Sequence, residues 1–143
     1  MTLVLDAAPL VAVADRRDSM QPLIEALLRE EAGELVVPAP ITAEVDYLLG
    51  RRLGRVARLA FLDDLAAGRF TVACLDADDH GVVADWERHY DDLDVDLADS
   101  SAVVAAQRFG TPRLLTFDER HFRALLALDR GRFSLLPADS PRR

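Results

Sequence analysis

Met1-Thr2-Leu3-Val4-Leu5-Asp6 opens the chain, and its change from apolar residues to an acid decides how the rest is read. Leu3-Val4-Leu5 is apolar throughout rather than alternating, the pattern of a short strand buried on both faces. Similar runs recur at Leu35-Val36-Val37, at residues 70–75, at Arg113-Leu114-Leu115-Thr116 and at Phe133-Ser134-Leu135-Leu136. Between them the spacing predicts helices over residues 9–14, 20–32, 41–53, 55–67, 79–90 and 98–109. Ser19 is the expected cap of the second helix, with Pro22 in its first turn and Gly33 after its end. Pro38 and Pro40 stop the second strand, and Gly54 and Gly68 bracket the fourth helix. No element is assigned to residues 119–132. Strands alternating with helices give an α/β fold, with a mainly parallel sheet of four to five strands covered on both faces. Residues 1–136 are expected to form a single domain and residues 137–143 a flexible tail. Ligands of such sheets bind outside the carboxyl ends of the strands, so Asp6 and Asp118, which follow the first and fourth strands, face one crevice.

Composition narrows the chemistry. Half of the 143 residues are hydrophobic, enough for a substantial core. No run of about 18 apolar residues suits a membrane span. The N-terminal run is too short for a signal peptide and lacks a basic flank, so a cytoplasmic location is expected. Cys74 is the only cysteine, which excludes an intrachain disulfide and a cysteine zinc site; its apolar surroundings predict a buried core residue. All 17 basic residues are Arg. Without Lys there is no Schiff base and no P-loop lysine. The net charge of −8 counts against a general nucleic-acid binder, although setting four acids aside as site ligands halves it.

Those four acids are Asp6, Glu44, Asp99 and Asp118, each in or beside an apolar run. A carboxylate next to a core segment costs desolvation energy, and a shared divalent cation is the simplest compensation. Each acid also has a plain structural reading. Asp6 would cap the next helix, and Glu44 would be a first-turn acid favoured by the helix dipole. Asp99 would cap the helix at 98–109, a job Asp96 could also do, and Asp118 would be a turn residue. Glu44 falls on the stripe of Ile41, Val45 and Leu48, whereas Asp46 turns away to solvent. Asp96 is an auxiliary candidate, and Asp91, Asp92 and Asp94 read as a solvated loop face. The three histidines lack metal-ligand spacing; His121 borders Asp118 in a peripheral place. With no nucleophile elbow or dinucleotide glycine pattern, oxygen-ligated Mg²⁺ or Mn²⁺ is the expected catalyst, as one or two ions.

The chain resembles a PIN-domain ribonuclease of the VapC toxin type. The resemblance rests on Val4-Leu5-Asp6, on Pro38-Ala39-Pro40-Ile41-Thr42-Ala43-Glu44-Val45-Asp46-Tyr47-Leu48-Leu49 and on Leu97-Ala98-Asp99-Ser100. It is completed by Leu114-Leu115-Thr116-Phe117-Asp118-Glu119-Arg120-His121-Phe122. It implies an α/β/α sandwich whose catalytic, metal-holding acids are Asp6, Glu44, Asp99 and Asp118, and which hydrolyses RNA phosphodiesters. It also implies a VapB-type antitoxin partner. Ala8 departs from the family, which often carries Ser, Thr or Gly there, so a hydroxyl to orient Asp6 is missing at that position. Arg16, Arg17, Arg51, Arg52 and Arg120 are candidates for the phosphates of a single-stranded or looped RNA. Exposed apolar surface near the first two helices and the helix at 41–53 suits the antitoxin or a homodimer. The first alternative is a non-catalytic PIN-like module that binds RNA or protein. The second, an aspartyl-phosphate enzyme using Asp6, is opposed by Ala8 and by the absence of Lys.

Overall fold

Five strands, β1 (Leu3–Leu5), β2 (Leu35–Pro38), β3 (Thr71–Ala73), β4 (Arg113–Leu115) and β5 (Ser134–Leu136), pair in parallel in the order β3-β2-β1-β4-β5. This computed structural model describes residues 1–92, 94–129 and 133–141, without the side chains of residues 126–129. The sheet is wholly parallel, one step beyond the mainly parallel sheet the sequence predicts. β1 is central: Val4 lies between Val36 and Leu114, and all three are completely buried. An apolar run without alternation suits that position, because helices cover both faces of a parallel sheet.

The helices follow as α1 (Ala7–Ala14), α2 (Gln21–Glu30), α3 (Ala39–Arg52), α4 (Arg55–Ala66), α5 (Ala77–His89), α6 (Leu97–Arg108) and α7 (Glu119–Asp129). α6 lies against β1, β2 and β4 and also packs on α3 and α7. Its residues from Ser100 to Ala106 are small or β-branched and all buried, so the helix approaches the sheet closely. α1 packs on α2 and α3. Each fully buried Leu or Ile of this core, such as Leu5, Ile24, Ile41 and Leu114, contributes roughly 1.5–3 kcal/mol.

Several local expectations are corrected. α7 occupies a stretch to which the sequence reading assigns no element; buried Phe122 and Leu125 give its inner face. Pro38 ends β2 instead of lying beyond it, and Pro40 falls in the first turn of α3, where no N–H is needed. Ser19 is not the α2 cap: Met20 is, with its N–H bonded to Asp18 Oδ1 at 2.8 Å. α2 stops at Glu30, because the Glu31 carboxylate accepts from the Gly33 N–H and pairs with Arg113 at 2.6 Å. A Cβ on Gly33 would stand 1.7 Å from the Met1 carbonyl oxygen, so this position needs glycine for close approach. Cys74 is exposed rather than buried, since it follows the last paired residue of the edge strand β3.

The expected tail is also partly ordered. Leu135 N–H donates to Asp139 Oδ2 at 2.8 Å, the Asp139 N–H donates to the Leu135 carbonyl, and Arg123 pairs with Asp139. This turn fastens residues 137–140 to β5 and α7; residues 142 and 143 lie outside the described residues.

The strand order creates the site. From β1 the chain winds toward β2 and β3, while β4 begins the opposite side of the sheet. Such a reversal opens a crevice at the carboxyl ends of the two strands, here β1 and β4.

Candidate metal centre at the carboxyl edge of the sheet

Asp6, Glu44, Asp96, Asp99 and Asp118 line one cleft of about 380 Å³ at this edge, together with Ala8, Asp94 and His121. The four acids expected from sequence are therefore brought together, and Asp96 joins them. Asp94, read from sequence as solvated, is in the wall as well. It lies in a run of acids whose individual directions no sequence pattern distinguishes.

The cleft is built largely from helix beginnings. Asp6 caps α1, with Oδ1 accepting from the Ala7 N–H at 2.8 Å. Asp96 caps α6 by accepting from the Asp99 N–H, which puts Asp99 in the first turn. Asp118 Oδ1 accepts from the His121 N–H at the start of α7. Capping and placement in the cleft thus coincide, because residues that close a helix start after a parallel strand also face the crevice. The positive ends of the three helix dipoles partly offset the crowding of carboxylates. Glu44 enters from α3, beyond its first turn, so a first-turn dipole role does not apply. Asp46 is half-buried and pairs with Arg58 at 2.7 Å, away from the cleft lining.

Thr116 is the residue that sequence reasoning missed. Its hydroxyl donates to Asp6 Oδ2 at 2.7 Å and accepts from the Asp118 N–H at 3.0 Å. One side chain therefore orients the first acid and positions the backbone of the last. The hydroxyl that Ala8 lacks is supplied from β4's end instead, and the position of Thr116 two residues before Asp118 was the available signal.

The electrostatics agree with a site shaped for a cation. Burial pushes the Asp6 carboxyl up, against the Thr116 and Ala7 hydrogen bonds, and Asp118 and Asp96 add to the rise. Desolvation, then Asp6 and Asp96, raise Glu44. Asp99 is raised to about 7 by desolvation and then by Asp96, Asp6 and Asp118, with His121 acting in the opposite direction. Carboxylates that hinder each other's ionisation lose that penalty when a divalent ion lies among them. Ligand atoms of Asp99, Asp118 and His121 lie within 4.8 Å of one another. The donor set, mostly carboxylate oxygen, suits a hard divalent cation.

The arginines divide. Arg120 lines a smaller pocket next to the cleft with Asp92, Asp94 and His121. Arg16 and Arg17 follow the far end of α1, and Arg51 and Arg52 form the last turn of α3, about 10 Å along the axis from Glu44.

With this geometry in place, a family model of the PIN domain matches residues 3–125. The chain belongs to the PIN-domain family. This PIN domain is 34% identical over 135 residues to ribonuclease VapC26 of Mycobacterium tuberculosis, spanning 94% of this chain and 100% of that relative. The crystal structure of Mycobacterium tuberculosis VapC20, a sarcin–ricin loop cleaving toxin, aligns with a TM-score of 0.78 at 18% identity, over 85% of this chain and 94% of that one. VapBC2 from Rickettsia felis, solved bound to a DNA fragment from their promoter, aligns with a TM-score of 0.62 at 16% identity, over 86% and 92%. These two likenesses establish the fold. No helix among the described residues is long and apolar enough to cross a membrane.

Proposed function

We propose that this PIN domain is a metal-dependent endoribonuclease, the toxin of a toxin–antitoxin pair, with Asp6, Glu44, Asp99 and Asp118 as its catalytic acids. The observation that carries the reading is the convergence of these four side chains on one cleft at the switch point of the sheet. The relative named a ribonuclease matches nearly the whole chain and supports the activity. Mg²⁺ or Mn²⁺ in the cleft would lower the pKa of a water molecule and neutralise charge on the scissile phosphate.

The residues supply the rest. Asp6 is fixed by donors on both of its oxygens, Ala7 and Thr116, and each oxygen keeps a lone pair for a cation. Asp99, raised to about 7, is about half protonated at neutral pH, and a bound cation would favour its ionised form. Asp118, whose N–H donates to the Thr116 hydroxyl and whose Oδ1 caps α7, would orient water or help hold a second ion. Arg120, on the rim, takes a flanking phosphate; Arg16, Arg17, Arg51 and Arg52 reach only more distant nucleotides. A single-stranded or looped RNA bends into such a pocket more readily than a duplex.

The VapB-type antitoxin docks, in this reading, in the groove of about 570 Å³ where Leu10, Val13, Leu28, Leu49, Phe61 and Phe70 meet. The VapBC2 assembly supports a partner of that type.

The test uses purified, antitoxin-free protein and total cellular RNA, with Mg²⁺, with Mn²⁺ and with EDTA, beside Asp99→Asn. Discrete cleavage that needs both the ion and Asp99 supports the enzyme. Folded, metal-loaded protein that binds RNA without cutting it would instead identify a non-catalytic module.

A further inference from the structure

His121 occupies a place that the acid-based reading does not use. It is the third residue of α7, and its N–H completes the cap with Asp118 Oδ1, so backbone and side chain are held over the same carboxylate. Its Nδ1 lies 2.7 Å from Asp118 Oδ2 and 3.8 Å from Asp99 Oδ2. This nitrogen is shielded from solvent, yet it makes no hydrogen bond among the described residues. The rest of the ring is partly open, the side chain being 36% exposed. A buried ring nitrogen ordinarily finds a hydrogen-bond partner, so one that stands beside two carboxylates without aiming a proton at either calls for another occupant.

The spacing suits a shared cation. With bonds of about 2.1 Å in an octahedral shell, adjacent ligand atoms stand about 3 Å apart and opposite ones about 4.2 Å. The two separations from Nδ1 are close to these limits, and all three ligand atoms lie within 4.8 Å of one another. The other histidines are placed differently, with Nδ1 bonded to the Asp76 and Asp85 carbonyl oxygens at the start of α5 and within it.

We propose that His121 is a direct metal ligand of this cleft, sharing one divalent ion with Asp99 and Asp118 through Nδ1, and that this nitrogen tilts the site toward first-row transition ions over Mg²⁺. The inference rests on the metal-dependent reading of the same cleft and adds a ligand to it. Imidazole favours transition ions, whereas a shell of oxygen alone accommodates Mg²⁺ well.

Pulsed EPR of Mn²⁺-loaded protein tests it without any RNA. Nitrogen coupling to the bound Mn²⁺ is expected in the wild type and absent in His121→Ala, with circular dichroism confirming that the variant is folded. Titration should show Mn²⁺ binding about 10–100-fold weaker in His121→Ala, a loss of the size seen when groups supporting a metal are removed. Mg²⁺ affinity, measured by competition, should fall by less than Mn²⁺ affinity. Bound Mn²⁺ without nitrogen coupling, or coupling that persists in His121→Ala, overturns the assignment and leaves the endoribonuclease reading intact. Wild-type protein that binds no Mn²⁺ overturns both. RNA cleavage absent beside clear nitrogen coupling would remove the enzyme reading and keep the ligand.

Discussion

Asp99→Asn should make the metal-free protein more stable while removing its response to metal. The Asp99 carboxyl is raised from 3.8 to about 7. At about 1.4 kcal/mol per pH unit, keeping it ionised at pH 8 costs the fold about 4 kcal/mol. Its side chain is 17% exposed, and neighbouring carboxylates redistribute their protons when one charge is removed. Asn therefore recovers about half of that cost, ~2 kcal/mol. The sign follows from proton linkage. Between the unfolded value near 3.8 and the folded value near 7, the folded state binds the extra proton, so the wild type loses stability as pH rises through that window. The variant does not share this loss. The gap between the two should be under about 1 kcal/mol at pH 5 and about 2 kcal/mol at pH 8, where it is fully open. Urea denaturation in EDTA at both pH values measures it, and thermal melts should differ at pH 8 by ~6 °C. Saturating Mn²⁺ should reverse the order, adding about 2.7 kcal/mol to the wild type at 100 times the dissociation constant and little to the variant. An Asn variant no more stable than wild type at pH 8, or a gap of equal size at both pH values, would refute the account of mutual carboxylate repulsion.

Thr116→Val removes the donor to Asp6 and the acceptor of the Asp118 N–H in one step. Stability in EDTA should fall by about 1–3 kcal/mol, and calorimetry should show weaker Mn²⁺ binding; unchanged binding would mean that Asp6 needs no orienting group. Asp96→Ala deletes the α6 cap and one of the charges that raise Asp99. The cap should cost ~1 kcal/mol in denaturation, and the proton released on Mn²⁺ binding should shift to lower pH. Ala60→Arg places a bulky extra cation in the groove of Leu10, Leu49 and Phe61, whose walls also carry the Glu25–Arg29 and Asp64–Arg69 pairs. Co-purification with the antitoxin should drop while metal-dependent cleavage by free protein persists; loss of both would point to a misfolded chain, and loss of neither would move the antitoxin elsewhere.

Several elements of the sheet and much of the site could be read along the chain because they are local. Leu3-Val4-Leu5 has no polar residue to turn outward, so it had to be a buried strand whatever surrounded it. The acids that follow strands or begin helices were legible for the same reason, since a parallel sheet directs such residues to one edge. The sequence also predicted helices 41–53 and 55–67 close to their observed bounds, because glycine and apolar periodicity mark them locally.

Other features depended on neighbours distant in sequence. Cys74 lies in an apolar run, and only the edge position of β3 leaves it exposed. Asp99 and Asp96 were interchangeable as caps until the start of α6 was fixed. Asp94 joined the cleft, and the turn after β5 was fastened by Arg123 and Asp139, through contacts that no spacing encodes. The sequence by itself determined an α/β chain with acids gathered at one edge, because strand burial and helix starts follow from patterns of a few residues. Only the tertiary structure decided that Thr116 replaces the hydroxyl absent at Ala8 and that His121 faces Asp99 and Asp118, because hydrogen bonds and ligand distances are set by the pairing of β1 with β4 across more than a hundred residues of chain.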